Sequence, residues 1–170
     1  MKTYILRIIF LILIITNSLI IFGFSAQNGE ESSNLSKTVI TKIADIFNVE
    51  ENRETFLNIG ESIIRKLAHF SIYTLLGIWV VCFMLTFKIK LKWQITLTAV
   101  WGLLYAITDE FHQMFSSGRH ASINDVVIDT LGVLFGLFLV LTINKIIEII
   151  KQKKLGSKYK SEKIKSPNNN

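Results

Sequence analysis

Seven ionisable side chains fall within the run DEFHQMFSSGRHASINDVVIDTLG at positions 109–132, and long apolar stretches flank that run on both sides. Asp109, Glu110, His112, Arg119, His120, Asp125 and Asp129 together offer carboxylates, imidazoles and a guanidinium, the groups of acid–base chemistry. An ionised aspartate near a bilayer centre costs roughly 2.5–3.5 kcal/mol, so carboxylates in this setting predict a site whose partners lie close by. Helical spacing decides which groups can meet. Asp109, His112 and Gln113 stand at i, i+3 and i+4; upstream, Lys66, His69 and Tyr73 stand at i, i+3 and i+7; Asp125 and Asp129 share a face with Gly132 and Gly136. The three stripes end three apolar segments at one level, so a helical bundle can draw them into one pocket. His69 or His112 then reads as a general base oriented by Asp109, and Arg119, supplied by the loop above, reads as the group that stabilises developing negative charge. Asp129 completes that catalytic set and is the leading partner for Arg119, with Asp125 next. Lys66, Tyr73, Glu110, Gln113 and Asp125 read as ligand-binding.

Plainer readings stand beside these. Asp125 fits a helix cap within Ser122-Ile123-Asn124-Asp125, and Arg65 and Lys66 fit interfacial anchors whose stems lie along apolar surface. Glu110 points about 100° away from Asp109 around a helix and equally fits a loop-facing role. His120 reads as a solvated loop residue, and Asp129 also fits hydrogen-bonded helix packing. A carboxylate–histidine metal set is a variant of the catalytic reading, although no spacing is diagnostic of one, so the metal stays undetermined. The chain has no glycine-rich phosphate loop, no HExxH pair and no GxSxG elbow; no cofactor is expected.

The elements that must position these residues are helices in a membrane. Half of the 170 residues are hydrophobic, one is proline, and the apolar residues fall in runs without strand-like alternation. A hydrocarbon core of about 30 Å takes ~20 helical residues, which predicts four spans at about 5–24, 67–87, 93–111 and 126–147. The fold class expected is all-α, polytopic, with a transmembrane domain over 1–150 and a disordered basic tail over 151–170. Lys2, Arg7, Lys88, Lys90, Lys92 and the eight lysines from Lys145 onward place 13 of the 19 basic residues on one side, which predicts cytoplasmic termini in the cell membrane. The opposite side is acidic and carries the charged run, so the pocket should open outward. The net charge of +6 is thus a topology signal and gives no support for nucleic-acid binding.

The first span has a signal peptide as its alternative, but its apolar run exceeds the usual h-region of 7–15 residues. Asn17 reads as a helix-packing residue. Cys82, the one cysteine, excludes a disulfide framework and reads as a small core filler. Between the first two spans, Leu35, Val39, Ile43 and Phe47, then Phe56, Ile59, Ile63 and Leu67, recur at helical spacing and predict two short amphipathic helices that lie on the outer interface or cap the bundle mouth.

Three blocks in order resemble the VanZ-like membrane protein family, named for a teicoplanin-resistance protein: FSAQNGEESSNLS at 24–36, RKLAHFSIYTLLG at 65–77, and DEFHQMFSSGRHASINDVVIDTLGVLFG at 109–136. KxxHF alone is weak, whereas its combination with DExHQxF, GR and DxxxDTxG is specific. The resemblance maps recurring polar positions onto Ser25, Gln27, Ser32, Ser36, Lys66, His69, Tyr73, Asp109, Glu110, His112, Gln113, Arg119, Asp125 and Asp129. This chain departs in having Ile72 where relatives often carry glutamate, which excludes a general catalytic role for that acid. It also has Ser117 where they carry proline, which leaves the loop into Arg119 less rigid. The resemblance implies a protein that alters susceptibility to glycopeptides and lipoglycopeptides such as teicoplanin. Three mechanisms follow: an outward pocket that binds an envelope lipid, a lipid-linked component or the glycopeptide itself; an outer-leaflet hydrolase or transferase; or transport, against which stands the lack of comparable charge at the inner ends of the spans.

Overall fold

The computed structural model describes residues 1–118 and 121–165, with backbone alone from 157 onward. These residues form five helices and no strand: α1 (Lys2–Ser25), α2 (Gly29–Ile46), α3 (Arg53–Leu85), α4 (Leu91–Gln113) and α5 (Ile123–Lys165). Three of them, α1, α3 and α5, are long and apolar enough to cross a membrane. α4 has 23 residues, about 35 Å of helix, but its apolar part is confined between Gln94 and Asp109. Polar residues at both ends shorten that stretch below the ~20 residues a span requires.

Contacts divide the chain into two units, Met1–Leu137 and Phe138–Asn170. In the second unit the helix has no break at Lys151, where the sequence becomes lysine-rich, and it continues through Lys165. Lysine, glutamate, glutamine and leucine are good helix formers, so the change in polarity is not a change in helical preference.

Within the first unit α3 packs against α1, α2 and α4. The core comprises Ile14, Ile21, Tyr73, Leu76, Val80, Ala106 and Val133. Asn17 is a helix-packing residue, its Nδ2 donating to the Ile72 carbonyl at 3.2 Å, and the Tyr105 hydroxyl donates to the Ser18 carbonyl at 2.7 Å. At the C-terminal end of α3, Arg7 donates to the Thr86 carbonyl (3.0 Å) and its guanidinium lies 4.1 Å from the Phe87 ring centroid. Gln94 Nε2 donates to the Phe87 carbonyl at 3.1 Å. These bonds satisfy carbonyls that the end of a helix leaves without intrahelical donors.

α2 starts at Asn28, whose side chain accepts from the Glu31 amide at 2.8 Å, and Glu30 and Glu31 in its first turn complement the helix dipole. Its buried face differs from the apolar stripe in the sequence. Ser32, Ser36, Ile40 and Ala44 are buried, while Leu35, Val39 and Phe47 are exposed. Small side chains let α2 lie close to α3, and the bulkier stripe is left facing outward. A Cβ at Gly60 would overlap Ile40, which marks that close contact. The second short amphipathic helix anticipated around Phe56 to Leu67 is instead the beginning of α3, because a lone Gly60 without proline does not interrupt a helix. The turn between α2 and α3 places Asn48 and Asn52 at φ 50° and 53°, a conformation asparagine tolerates, and Arg53 pairs with Asp45 across it.

α3 and α5 approach through glycine. A Cβ on Gly132 would lie 2.6 Å from the Phe70 carbonyl oxygen, one on Gly136 would overlap the Thr74 carbonyl, and one on Gly77 would overlap the Val133 carbonyl. Missing side chains on both helices thus bring the two backbones together.

Candidate functional site

That close approach sets Asp129 of α5 against His69 of α3. His69 Nδ1 and Asp129 Oδ1 are 3.4 Å apart, and Asp129 is fully buried. Asp109, near the end of α4, completes a trio: one ligand-capable atom from each of His69, Asp109 and Asp129 lies within 4.8 Å of the other two. Asp109 is 5% exposed, and its Oδ2 accepts from Gln113 Nε2 at 3.2 Å one helical turn on. Its backbone carbonyl faces the Ser25 hydroxyl at 3.4 Å, which ties the trio to the end of α1. Tyr73 is fully buried one turn beyond His69. Asp129 Oδ1 meets only the His69 nitrogen, and its Oδ2 has no hydrogen-bond partner among the described residues. Buried polar groups are rarely left so, and those that are call for an explanation.

A cavity of ≈ 280 Å³ adjoins the trio, lined by Gly29, Arg65, Lys66, His69, Gln113, Gly118, Asp125 and Ile128. A second, of ≈ 150 Å³, is lined mainly by apolar side chains, Ile21, Phe24, Leu35, Ala68 and Ile72, with Gln27, Ser32 and Ser36 among them. Arg65 and His69 line both. One compartment is therefore cationic and polar, its neighbour is greasy, and they share two side chains. At the rim of the first, Gly29 N donates to the Ser117 carbonyl at 3.0 Å, and Gly118 adopts φ +74°. A Cβ on Gly29 would stand 2.6 Å from the Gly118 oxygen, so this crossing needs a residue without a side chain.

The residues singled out in the sequence separate into three groups. His69, Asp109 and Asp129 converge, with Tyr73 and Gln113 beside them, while Lys66 and Asp125 line the adjoining cavity. Glu110 and His112 are engaged elsewhere. Glu110 is 3% exposed and its Oε2 accepts from the Ser122 amide at 2.8 Å, holding the residue that precedes α5. The His112 ring stacks on Phe22 of α1, centroids 4.2 Å apart. Arg119 and His120 lie outside the described residues. Arg65 was read from the sequence only as an anchor, yet it lines both cavities; its i, i+4 relation to His69 was the available signal.

This arrangement can act in two ways. A half-buried imidazole beside two buried carboxylates can accept, hold or pass a proton, or the three can ligate a cation; Arg65 and Lys66 at the adjoining cavity can attract an anion. Residues 8–144 match the family described as VanZ/LLP1. No curated protein and no solved structure matches the chain.

Proposed function

The chain belongs to the VanZ/LLP1 family, and from that premise we propose that it is a multi-pass protein of the cell membrane that binds an anionic envelope lipid or lipid-linked component. One observation carries this reading: a cavity bordered by Arg65 and Lys66 adjoins an apolar one, and Arg65 and His69 line both. An anionic head group suits the first and an acyl chain the second. Arginine can present a planar fork to a phosphate, and lysine adds a point charge. In this reading α4 is a fourth span, since the ends that shorten its apolar stretch lie at the two interfaces. Both termini face the cytoplasm and the cavity opens outward, as the distribution of basic residues supports. α2, with Leu35, Val39 and Phe47 exposed, lies along the outer interface. Occupying or altering an envelope lipid there would change susceptibility to teicoplanin-type glycopeptides, whether the protein holds the lipid or the antibiotic.

The test is lipid selectivity in purified protein. Phosphatidylglycerol should displace a fluorescent lipid at least ~10-fold more strongly than phosphatidylcholine, and Arg65→Gln with Lys66→Gln should remove the preference. Equal competition by the two lipids rejects the reading. Orientation is tested separately in a Cys82→Ser background, where Asn52→Cys should react with an impermeant label in intact cells and Asn168→Cys should not.

A second reading, an outer-leaflet hydrolase or transferase, is favoured by the His69–Asp129 contact. His69 would be the general base, with Asp109 and Asp129 setting its orientation and Arg119 from the loop stabilising developing charge. Turnover of a bound lipid by wild type and not by His69→Gln, with binding retained, would separate this reading from the first.

A further inference from the structure

We infer that His69, Asp109 and Asp129 hold a divalent metal ion at the edge of the cationic cavity. This goes beyond lipid binding and stands without it. Three observations carry it. Ligand-capable atoms of the three side chains lie within 4.8 Å of one another, and they come from α3, α4 and α5, so the tertiary fold brings them together and no single helix could. Asp129 is fully buried, its Oδ1 meets His69 Nδ1 at 3.4 Å, and its Oδ2 has no hydrogen-bond partner among the described residues. Asp109 Oδ2 accepts from Gln113, which fixes the orientation of the carboxylate beside the other two side chains.

Charge and distance agree with a metal. Two carboxylates and a neutral imidazole bring two negative charges into a buried place, where an unneutralised pair is strongly unfavourable. A divalent cation cancels both. Ligands about 2.0–2.2 Å from a tetrahedral ion stand about 3.4 Å apart, which is the His69 Nδ1–Asp129 Oδ1 separation; Asp109 would close the rest by a small side-chain adjustment. One nitrogen and two oxygens, with no sulfur, suit Zn²⁺ or Mn²⁺. Gln113 is the kind of outer partner that orients a ligating carboxylate. Three protein ligands leave a coordination position open, and His69 also lines the cavity, so that position is available to water or to a phosphate oxygen. The bound ion would itself attract the anion that Arg65 and Lys66 attract.

The experiment uses the full chain in detergent. Protein stripped with chelator, reloaded with Zn²⁺ or Mn²⁺ and desalted should retain about one ion per chain by mass spectrometry, and Co²⁺ should give a visible spectrum typical of nitrogen–oxygen ligation. Asp129→Asn and Asp109→Asn should each cut occupancy at least ~10-fold, since the amide keeps the shape and loses the charged ligand. Asp125→Asn, which borders the same cavity outside the trio, should keep it. Chelation should lower the wild-type Tm by about 5–10 °C, reversed by metal. Wild type alone decides the matter if a variant fails to fold. An arginine counter-charge or a shared proton predicts no retained ion, no cobalt spectrum and an unchanged Tm, and that result overturns the site. So does equal occupancy in wild type, Asp109→Asn and Asp129→Asn. The double variant Arg65→Gln with Lys66→Gln keeps the two readings apart: it should lose lipid selectivity while retaining metal, and an ion retained by a wild type that shows no lipid selectivity would remove the lipid reading alone.

Discussion

Two polar places in this molecule both lie on α3 and end differently. At the C-terminal end of α3, Arg7 and Gln94 donate to the carbonyls of Thr86 and Phe87, and the Arg7 guanidinium covers an aromatic ring. Every one of those contacts closes a helix end. Midway along α3, the half-buried His69 meets the buried Asp109 and Asp129, and Asp129 Oδ2 has no hydrogen-bond partner among the described residues. The first place is spent on structure, whereas the second retains capacity that the other described residues do not fill. What separates structure from function here is whether the partner is already a backbone group, and charge or depth alone does not reveal that.

Four substitutions and one control can break or sharpen this contrast. The largest effect belongs to Gly136→Leu, which drives a side chain into the Thr74 carbonyl and should cost at least ~4 kcal/mol, seen as loss of monodisperse, cooperatively melting protein. Gly23→Leu, with open space around it, should melt like wild type. Asp129→Asn comes next. Anionic-lipid affinity should fall by roughly 100-fold, about 2.7 kcal/mol, while chelator-treated variant and wild type melt alike or the variant melts higher. A clear drop in its chelated Tm would mean that Asp129 is structural, and the contrast would fail. Arg7→Met should behave in the opposite sense: losing charged hydrogen bonds costs about 1.5–3 kcal/mol, a Tm lower by about 3–12 °C, with lipid affinity within twofold of wild type. The smallest effect is expected of Asn17→Leu, about 0.6 kcal/mol for one interhelical bond, readable as a small shift in denaturation midpoint with binding intact.

Much of the helical plan was legible because apolar runs and i, i+4 spacing are local properties. His69, Asp109 and Asp129 could be singled out as polar members of apolar segments, and Gly132 with Gly136 announced a close helix contact. Their convergence depends on distances that no spacing encodes. His112 shares a helical face with Asp109 in the sequence, yet its ring has a flat partner in Phe22, contributed by a helix far away in the chain. Glu110, read both as a pocket acid and as a loop-facing residue, has one oxygen on the Ser122 amide, a partner no helical spacing could announce. In α2 the hydrophobic stripe marked the outward face, while the face packed against α3 is made of small residues that a hydropathy pattern does not single out. α3 starts earlier than the hydropathy suggests, since polarity ends an apolar run without ending a helix.

The bond from Asn17 to the Ile72 carbonyl also has a meaning in time. α1 leaves the ribosome first, and its partner for that amide lies 55 residues later. At about 5–20 residues per second the gap is roughly 3–11 s, during which Asn17 has no Ile72 to bond in the nascent chain. The ties from Arg7 to Thr86 and from Ser25 to Ser116 arrive later still, 79 and 91 residues downstream of their α1 ends. α1 must therefore wait in the membrane or beside the insertion machinery before it can dock, so the pace of translation through α3 sets how long its amide stays unmatched.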